Sequence, residues 1–525
     1  MAGRFGTSGR FDNGDARFSI WNVSWVAHAL TSDPRNLWNA NIFYPHKGTL
    51  AYSEANLVAG AIGVPVWVLT HNPYATSNFT ILMAFVLAAL AMYALVRHLT
   101  GSRWGAALAA VSYAFCSFAF AHIGHIQLLM TFAPALALLR MHRFVDAPGV
   151  ANAMWLGLSL VVQALACAYY GLYGGMAVAV GIIWFGAWSG QWRSPKFWAL
   201  TALAAIVAIG LTAPFLAPYA ELRHAGLTRS LDQQRLFSAS WRDYFASALL
   251  VYRWMLPMIG QWGEVLFPGG LALVFAAVAL VYAVRRSPSL AMSRRVMGFY
   301  VLLALLAFWA SLGPDAGLYK WLFDTVPFMT MLRAPARFGL FVTLALAVLG
   351  GAGLATLERG WTGRRRTAWL AVVAVVGLAS ASVGPLALET APPESQAVTW
   401  LRRLPEGAVA EFPFFGSRQN FFHHTWYMMA STLHWHPLVN GYSDYLPPDV
   451  EAALPALAQF PSPESLRFLR ERDTRYVLVH WERYPVVLRE PLRVKIGELQ
   501  DTLRPMLNDA DTSLYELVPA ASGGR

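Results

Sequence analysis

The sequence predicts an α-helical polytopic membrane protein of about ten spans, with interfacial helices and a small α/β C-terminal domain. Three observations carry that class. Only 13% of the 525 residues are charged while 56% are hydrophobic, and mean hydropathy is +0.42. Ordinary soluble domains carry about 25% charged residues, so a soluble enzyme and a solvated disordered coil are both excluded. Apolar runs of about 20 residues, the length that crosses a bilayer, recur between residues 74 and 386. After residue 387 the chain turns rich in Pro, Glu, Asp and Arg. The organisation that follows is 1–73, an acidic loop and interfacial helices; 74–386, a multi-span domain; and 387–525, an α/β domain.

In chain order, GDARFSIWNVSWVAHAL is Trp-rich and amphipathic and predicts a helix lying in the interface plane. NIFYPHKGTLAYSEANLVAGAIGVPVWVLT is a second interfacial stretch. Spans are expected near 74–96, 104–121, 126–145, 151–168, 171–189, 197–219, 265–284, 296–313, 337–357 and 367–386. Tyr169, Tyr170 and Gly171 mark a turn between the fourth and fifth. In the tail, GAVAEFP (407–413) and RYVLVH (475–480) read as buried strands. PESLRFLRERDT reads as an amphipathic helix before the second of them.

Arginine placement orients the spans. Arg97, Arg103, Arg140, Arg143, Arg193, Arg285, Arg286, Arg294, Arg295, Arg359 and Arg364 to Arg366 all fall in alternate connections, which the positive-inside rule assigns to the cytoplasm. The long loop 220–262 on the opposite face also carries arginines and departs from the pattern. Residues 1–73 and 387–525 are then extracytoplasmic, and a further apolar helix is expected upstream of residue 1. The net charge of +11 is explained by these loops, and no nucleic-acid partner is expected. Cys116 and Cys167 lie inside apolar runs, without the spacing of a zinc or disulfide framework.

The spans hold no charged residue at mid-depth, which disfavours an ion-coupled carrier. Polar candidates gather instead at the outer ends. Asp12 and Asp15 are three residues apart and face one site if the segment is helical; a carboxylate pair serves as general base or holds a divalent cation. Asp15 also suits a helix cap. Glu54 can join them, or act as a helix-start acid. In AHIGHIQ, His122, His125 and Gln127 sit at an outer turn, where histidines bind metal or phosphate, shuttle protons, or simply lie at the interface. In MLRAPARFG, Arg333 and Arg337 can clamp a phosphate or anchor to lipid headgroups; Arg229, Arg235 and Arg242 could extend such a basic groove. Glu264 opens the seventh span. In the tail, His434, His436, Asn440, Tyr442 and Asp444 cluster around the turn NGYS, suited to ligand binding or to docking.

The stretches GDARFSIWNVSWVAHAL, NIFYPHKGTLAYSE, HIGHIQLL, GEVLFPG, LRAPARFG and PLVNGYSDYLPP, spread over most of the chain, resemble the GT-C superfamily of membrane glycosyltransferases, and within it bacterial relatives of protein O-mannosyltransferases. The resemblance implies a polyprenyl-phosphate sugar donor and an envelope glycan, lipid or protein acceptor at the outer face of a bacterial cytoplasmic membrane. It places the essential acid of the first outer loop on Asp15 or Asp12. It also admits Mg²⁺ or Mn²⁺ at Asp12, Asp15 and Glu54. The superfamily's first span, ahead of the acidic loop, has no counterpart in the sequence. Arg333 and Arg337 follow from chemistry alone as phosphate ligands, with His122, His125, Gln127 and Glu264 as further substrate contacts. Two alternatives remain: a non-catalytic lipid-glycan carrier or flippase, and an accessory subunit of an envelope complex.

Overall fold

A computed structural model describes residues 5–9, 14–224, 226–384, 388–393, 395–417 and 419–519. The chain divides into two compact units, residues 1–80 with 388–525 and residues 81–387.

Each expected span coincides with a helix, yet they are not equally long. Seven helices are long and apolar enough to cross a membrane: Pro73–Thr100, Arg103–Ala121, Ile126–Asp146, Ala168–Trp188, Pro195–His224, Arg294–Ser311 and Pro335–Glu358. Val150–Ala166 and Gly270–Val284 are shorter: the first stops early, at its C-cap Cys167, and the second starts late, behind its N-cap Gly269. Gly363–Ser380 opens on three consecutive arginines, which dilute its apolar length. The expectation of about ten spans is therefore met in full length by seven.

Within residues 81–387 the helix Pro335–Glu358 is the core, 89% buried along its apolar window, whereas Pro195–His224 is 17% buried at the periphery. Glycine explains the difference. A Cβ on Gly351 would lie 2.6 Å from the Gly105 carbonyl oxygen, and one on Gly353 would lie 1.8 Å from that of Phe275. The GGAG run thus lets helices approach on two sides at backbone contact, where apolar solvent supplies no drive and close packing must.

In the other unit, the helix Gly14–Ser32 is buried on most sides, with Trp21, Val23, Val26 and Ala27 all in the core. The burial takes in polar Arg17, Asn22 and Ser24 as well as the apolar residues, so the helix packs against protein around most of its circumference. The helix Leu57–Thr70 packs on it at Gly60, against Val26, and leaves Val68 and Leu69 exposed. Asn41 ties the two ends of the chain together. It accepts from Trp21 Nε1 at 3.1 Å and donates to Ser431 Oγ at 3.1 Å and to the His436 carbonyl at 3.2 Å.

The tail forms a four-stranded sheet in the order Ala408–Phe412, Thr474–His480, Thr512–Leu517, Leu503–Asn508. The first pair is parallel and the others antiparallel. The parallel pair needs a crossover, which is supplied by helices that include His424–Ser431, Pro448–Leu457 and Pro463–Arg470. Phe412 and Phe460 stack at 3.9 Å in its core. Both strands and the helix read from the sequence are present. The strand pair Leu503–Asn508 and Thr512–Leu517 was not read, because Pro505 and the charged Arg504 and Glu516 mask its alternation.

Candidate functional site

In the unit of residues 81–387, four separate segments bring sequence-predicted residues together. His122 ends the short helix Ser117–Ala121 as its C-cap. His125 caps the next turn, Ile126–Leu129, which carries Gln127. Glu264 lies in the loop before Gly270–Val284, and Arg337 lies in the turn Pro335–Phe338 that starts the core helix.

His122 Nδ1 donates to the Phe118 carbonyl at 2.7 Å, so its Nε2 carries the lone pair. That Nε2 stands 3.8 Å from Glu264 Oε2, too far for a hydrogen bond. Burial pushes His122 down to about 3, opposed by the Phe118 bond and reinforced by the Arg337 and His125 charges. It is therefore neutral near pH 7, and the contact with Glu264 is not an ion pair there. Burial pushes the Glu264 carboxyl up, while Arg337 and His125 pull it down. Arg337 and His125 thus act electrostatically on both His122 and Glu264. The His122 and His125 rings are 5.9 Å apart.

The arginine segment is fixed by aromatic residues. Arg337 lies 3.9 Å over the Tyr169 ring, and Tyr169 Oη accepts from the Arg333 backbone N–H at 3.0 Å. Arg333 reaches over Phe237 at 5.3 Å. Tyr173 stacks on Phe338 at 3.6 Å. Arg235 does not extend this basic group: it is committed to Asp232 at 2.6 Å and Asp315 at 3.0 Å.

Sequence reasoning missed Asp243, the residue that shapes the Glu264 loop. It is 1% exposed. Its Oδ1 accepts from Gly263 N–H at 2.8 Å and Glu264 N–H at 3.0 Å, and its Oδ2 accepts from Ser240 N–H at 2.5 Å. The spacing of about twenty residues leaves no local signal for such a clamp.

In the unit of residues 1–80 and 388–525, Asp15 lies in the first turn of Gly14–Ser32, where a carboxylate faces the positive end of the helix dipole. Tyr442 Oη donates to Asp15 Oδ1 at 3.4 Å. Two residues on, buried Arg17 donates from Nε to Thr425 Oγ1 at 2.9 Å and lies 4.3 Å over Trp426. The tail thus clamps the first turn. Asp12 lies outside the described residues. The Glu54 carbonyl accepts from Asn22 Nδ2 at 3.2 Å. Asn22 follows Asp15 by seven residues on the same helix face, so the Glu54 backbone carbonyl is tied about 10 Å further along the axis.

Among the described residues no three His, Cys, Asp or Glu side chains converge on one point; Asp12, the third expected ligand beside Asp15 and Glu54, lies outside them. The tail candidates divide. His436 donates to the Leu401 carbonyl at 2.9 Å, and Asn440 pairs with the Glu411 backbone at 2.7 Å and 2.9 Å. Both are structural bridges. Asp444 accepts from Ser53 Oγ at 3.0 Å, which joins the tail turn to the Glu54 segment.

No protein-family model and no curated protein matches the chain. Among solved structures it is similar to the archaeal oligosaccharyltransferase AglB from Archaeoglobus fulgidus, in complex with an inhibitory peptide and a dolichol-phosphate. Identity is 12% and the TM-score 0.44, over 90% of this chain and 66% of that one, so this chain spans just under two thirds of AglB. It is also similar to ArnT from Cupriavidus metallidurans: 13% identity, TM-score 0.38 and coverages of 97% and 94% for the apo state. For ArnT bound to undecaprenyl phosphate the values are 13%, 0.39, 99% and 95%. At these scores the likeness assigns no role to any residue.

Proposed function

We propose that this chain is a membrane glycosyltransferase that moves a sugar from a polyprenyl-phosphate donor to an envelope glycan, lipid or protein at the outer face of the bacterial cytoplasmic membrane. The observation that carries the reading is the grouping of His122 with His125 and Glu264, together with the aromatic-held Arg337 whose charge acts on His122 and Glu264, all contributed by separate segments of a helical domain with spanning-length apolar helices. A guanidinium held by an aromatic face beside neutral imidazole suits a phosphate ester and its attached sugar.

In the proposed reaction the acceptor hydroxyl attacks the anomeric carbon. The new bond joins acceptor oxygen to that carbon, and the carbon–oxygen bond to phosphate breaks. The acceptor's proton passes to Asp15, or to Asp12, as general base. The electron pair leaves with the polyprenyl phosphate, and its charge is met by Arg337 and Arg333. His122, His125, Gln127 and Glu264 hydrogen-bond the sugar.

The test is donor affinity. Purified protein in lipid is titrated with polyprenyl phosphate, as wild type and as Arg337→Gln. Loss of a charged hydrogen-bonding partner should weaken binding by about tenfold or more. Equal affinity in the two proteins would remove Arg337, and with it the cluster, from the donor site.

A further inference from the structure

A second site lies in the unit of residues 1–80 and 388–525, away from Asp15. A cavity of about 490 Å³ is walled by the end of Gly14–Ser32, the end of Leu57–Thr70 and the turn after His424–Ser431. His28 on its wall is thirteen residues from Asp15, roughly 20 Å along the helix.

Its frame is aromatic. His28 stacks on Trp435 at 4.4 Å and 12°, and Trp67 meets Trp435 edge-on at 5.8 Å. Trp435 has φ +56°, a left-handed conformation that a bulky side chain adopts only where its surroundings impose it.

Two groups of the wall, Arg402 and His434, are donors without a fixed acceptor. Among the described residues, the exposed Arg402 makes no ion pair, and the cavity is lined by no Asp or Glu. His434 Nδ1 accepts from the His436 backbone N–H at 3.0 Å, so the neutral ring carries its proton on Nε2. That Nε2 is buried and has no hydrogen-bond partner. Burial holds His434 down to about 3, so neutrality is its state near pH 7. A buried donor without an acceptor is costly, and a ligand oxygen would relieve it. His71 also lines the cavity, while the Ser32 and Thr432 hydroxyls in its wall already donate to the His28 and Met429 carbonyls at 2.8 Å and 2.7 Å. At the rim Val68 is 52% exposed and its neighbour Leu69 83%, an apolar lip beside a basic pocket.

We infer that this cavity binds a phosphate ester, with Arg402 supplying the charge and His434 Nε2–H a directed hydrogen bond. The chemistry is shared by a lipid headgroup, which the apolar lip would accommodate, and by a small soluble phosphate ester. The inference does not depend on the glycosyltransferase reading.

The full chain is purified in detergent and titrated calorimetrically with glycerol 3-phosphate. Separately, native mass spectrometry scores retained phosphatidylglycerol against phosphatidylcholine. Arg402→Gln is the test variant and exposed Arg403→Gln its control. Saturable glycerol 3-phosphate binding that falls about tenfold in Arg402→Gln, and not in Arg403→Gln, supports the site with a soluble ligand. Selective retention of phosphatidylglycerol with the same variant dependence supports it with a lipid headgroup. Failure of both ligands to bind, or binding that Arg402→Gln leaves unchanged, overturns it.

Discussion

Asp243→Ala isolates the clamp that positions Glu264. The carboxylate accepts three backbone N–H groups, from Ser240, Gly263 and Glu264. Hydrogen bonds to charged groups are worth about 1.5–3 kcal/mol each, but the three do not count equally. Gly263 is exposed and Glu264 half-buried, so water takes over part of what the carboxylate gave up. A net local cost of about 2 kcal/mol remains, close to the lower value for a single such bond. Hydrogen exchange reads this directly, because local opening sets the rate. At 1.36 kcal/mol per factor of ten, amides across 263–266 should exchange about thirtyfold faster. The Leu266 N–H, bonded to the Asp243 carbonyl at 3.0 Å, should loosen with them. Asp232→Ala, which removes an exposed partner of Arg235, serves as control and should leave these amides unchanged. Unaltered protection at 263–266 in Asp243→Ala would refute the clamp and the argument that it fixes the Glu264 carboxyl.

Three further outcomes are expected. Arg337→Lys keeps the charge but loses the planar group 3.9 Å over Tyr169, so donor affinity measured in lipid should fall about tenfold; wild-type affinity would show that charge alone suffices. Tyr442→Phe removes a 3.4 Å bond to Asp15, at the long limit for an O–H donor, so turnover should drop by less than about tenfold with the fold unchanged, and complete inactivation would make Tyr442 more than a positioning residue. Burial pushes His424 and His434 down to about 3 from the ordinary 6.5. Between those values the unfolded chain binds more protons than the folded one, so stability is complete above 6.5 and is lost as pH falls toward 3. The thermal midpoint should decline across that window, and His424→Gln should decline less steeply; parallel slopes would contradict the assignment.

The spans were legible because about 20 apolar residues with arginine at alternate ends have few other uses in water or lipid. Their true lengths were less so, since a late start behind Gly269 or an early stop at Cys167 shortens a helix without changing the hydropathy of the run. The helix Gly14–Ser32 was read at the right place, but its burial was not: Trp21 and Trp25 suit an interface as well as a core, and only tertiary packing covers them. At the candidate site, His122, His125, Glu264 and Arg337 were each visible as polar residues at span ends. Their convergence was not, because it depends on tertiary packing across more than two hundred residues of sequence. Asp243 and Tyr169 lay beyond reach for the same reason: a buried clamp and an aromatic platform look, in sequence, like an ordinary loop acid and an ordinary apolar turn.

The central claim is sugar transfer, and the most direct measurement is movement of radiolabel from a panel of polyprenyl-phosphate sugars into envelope extract. Purified wild type and Asp15→Asn would be run side by side in lipid with Mg²⁺ present. The account predicts label in the extract with wild type and none above background with Asp15→Asn at equal protein. Full transfer by Asp15→Asn would contradict the role of that carboxylate, and absence of transfer from every donor by wild type would contradict the glycosyltransferase reading.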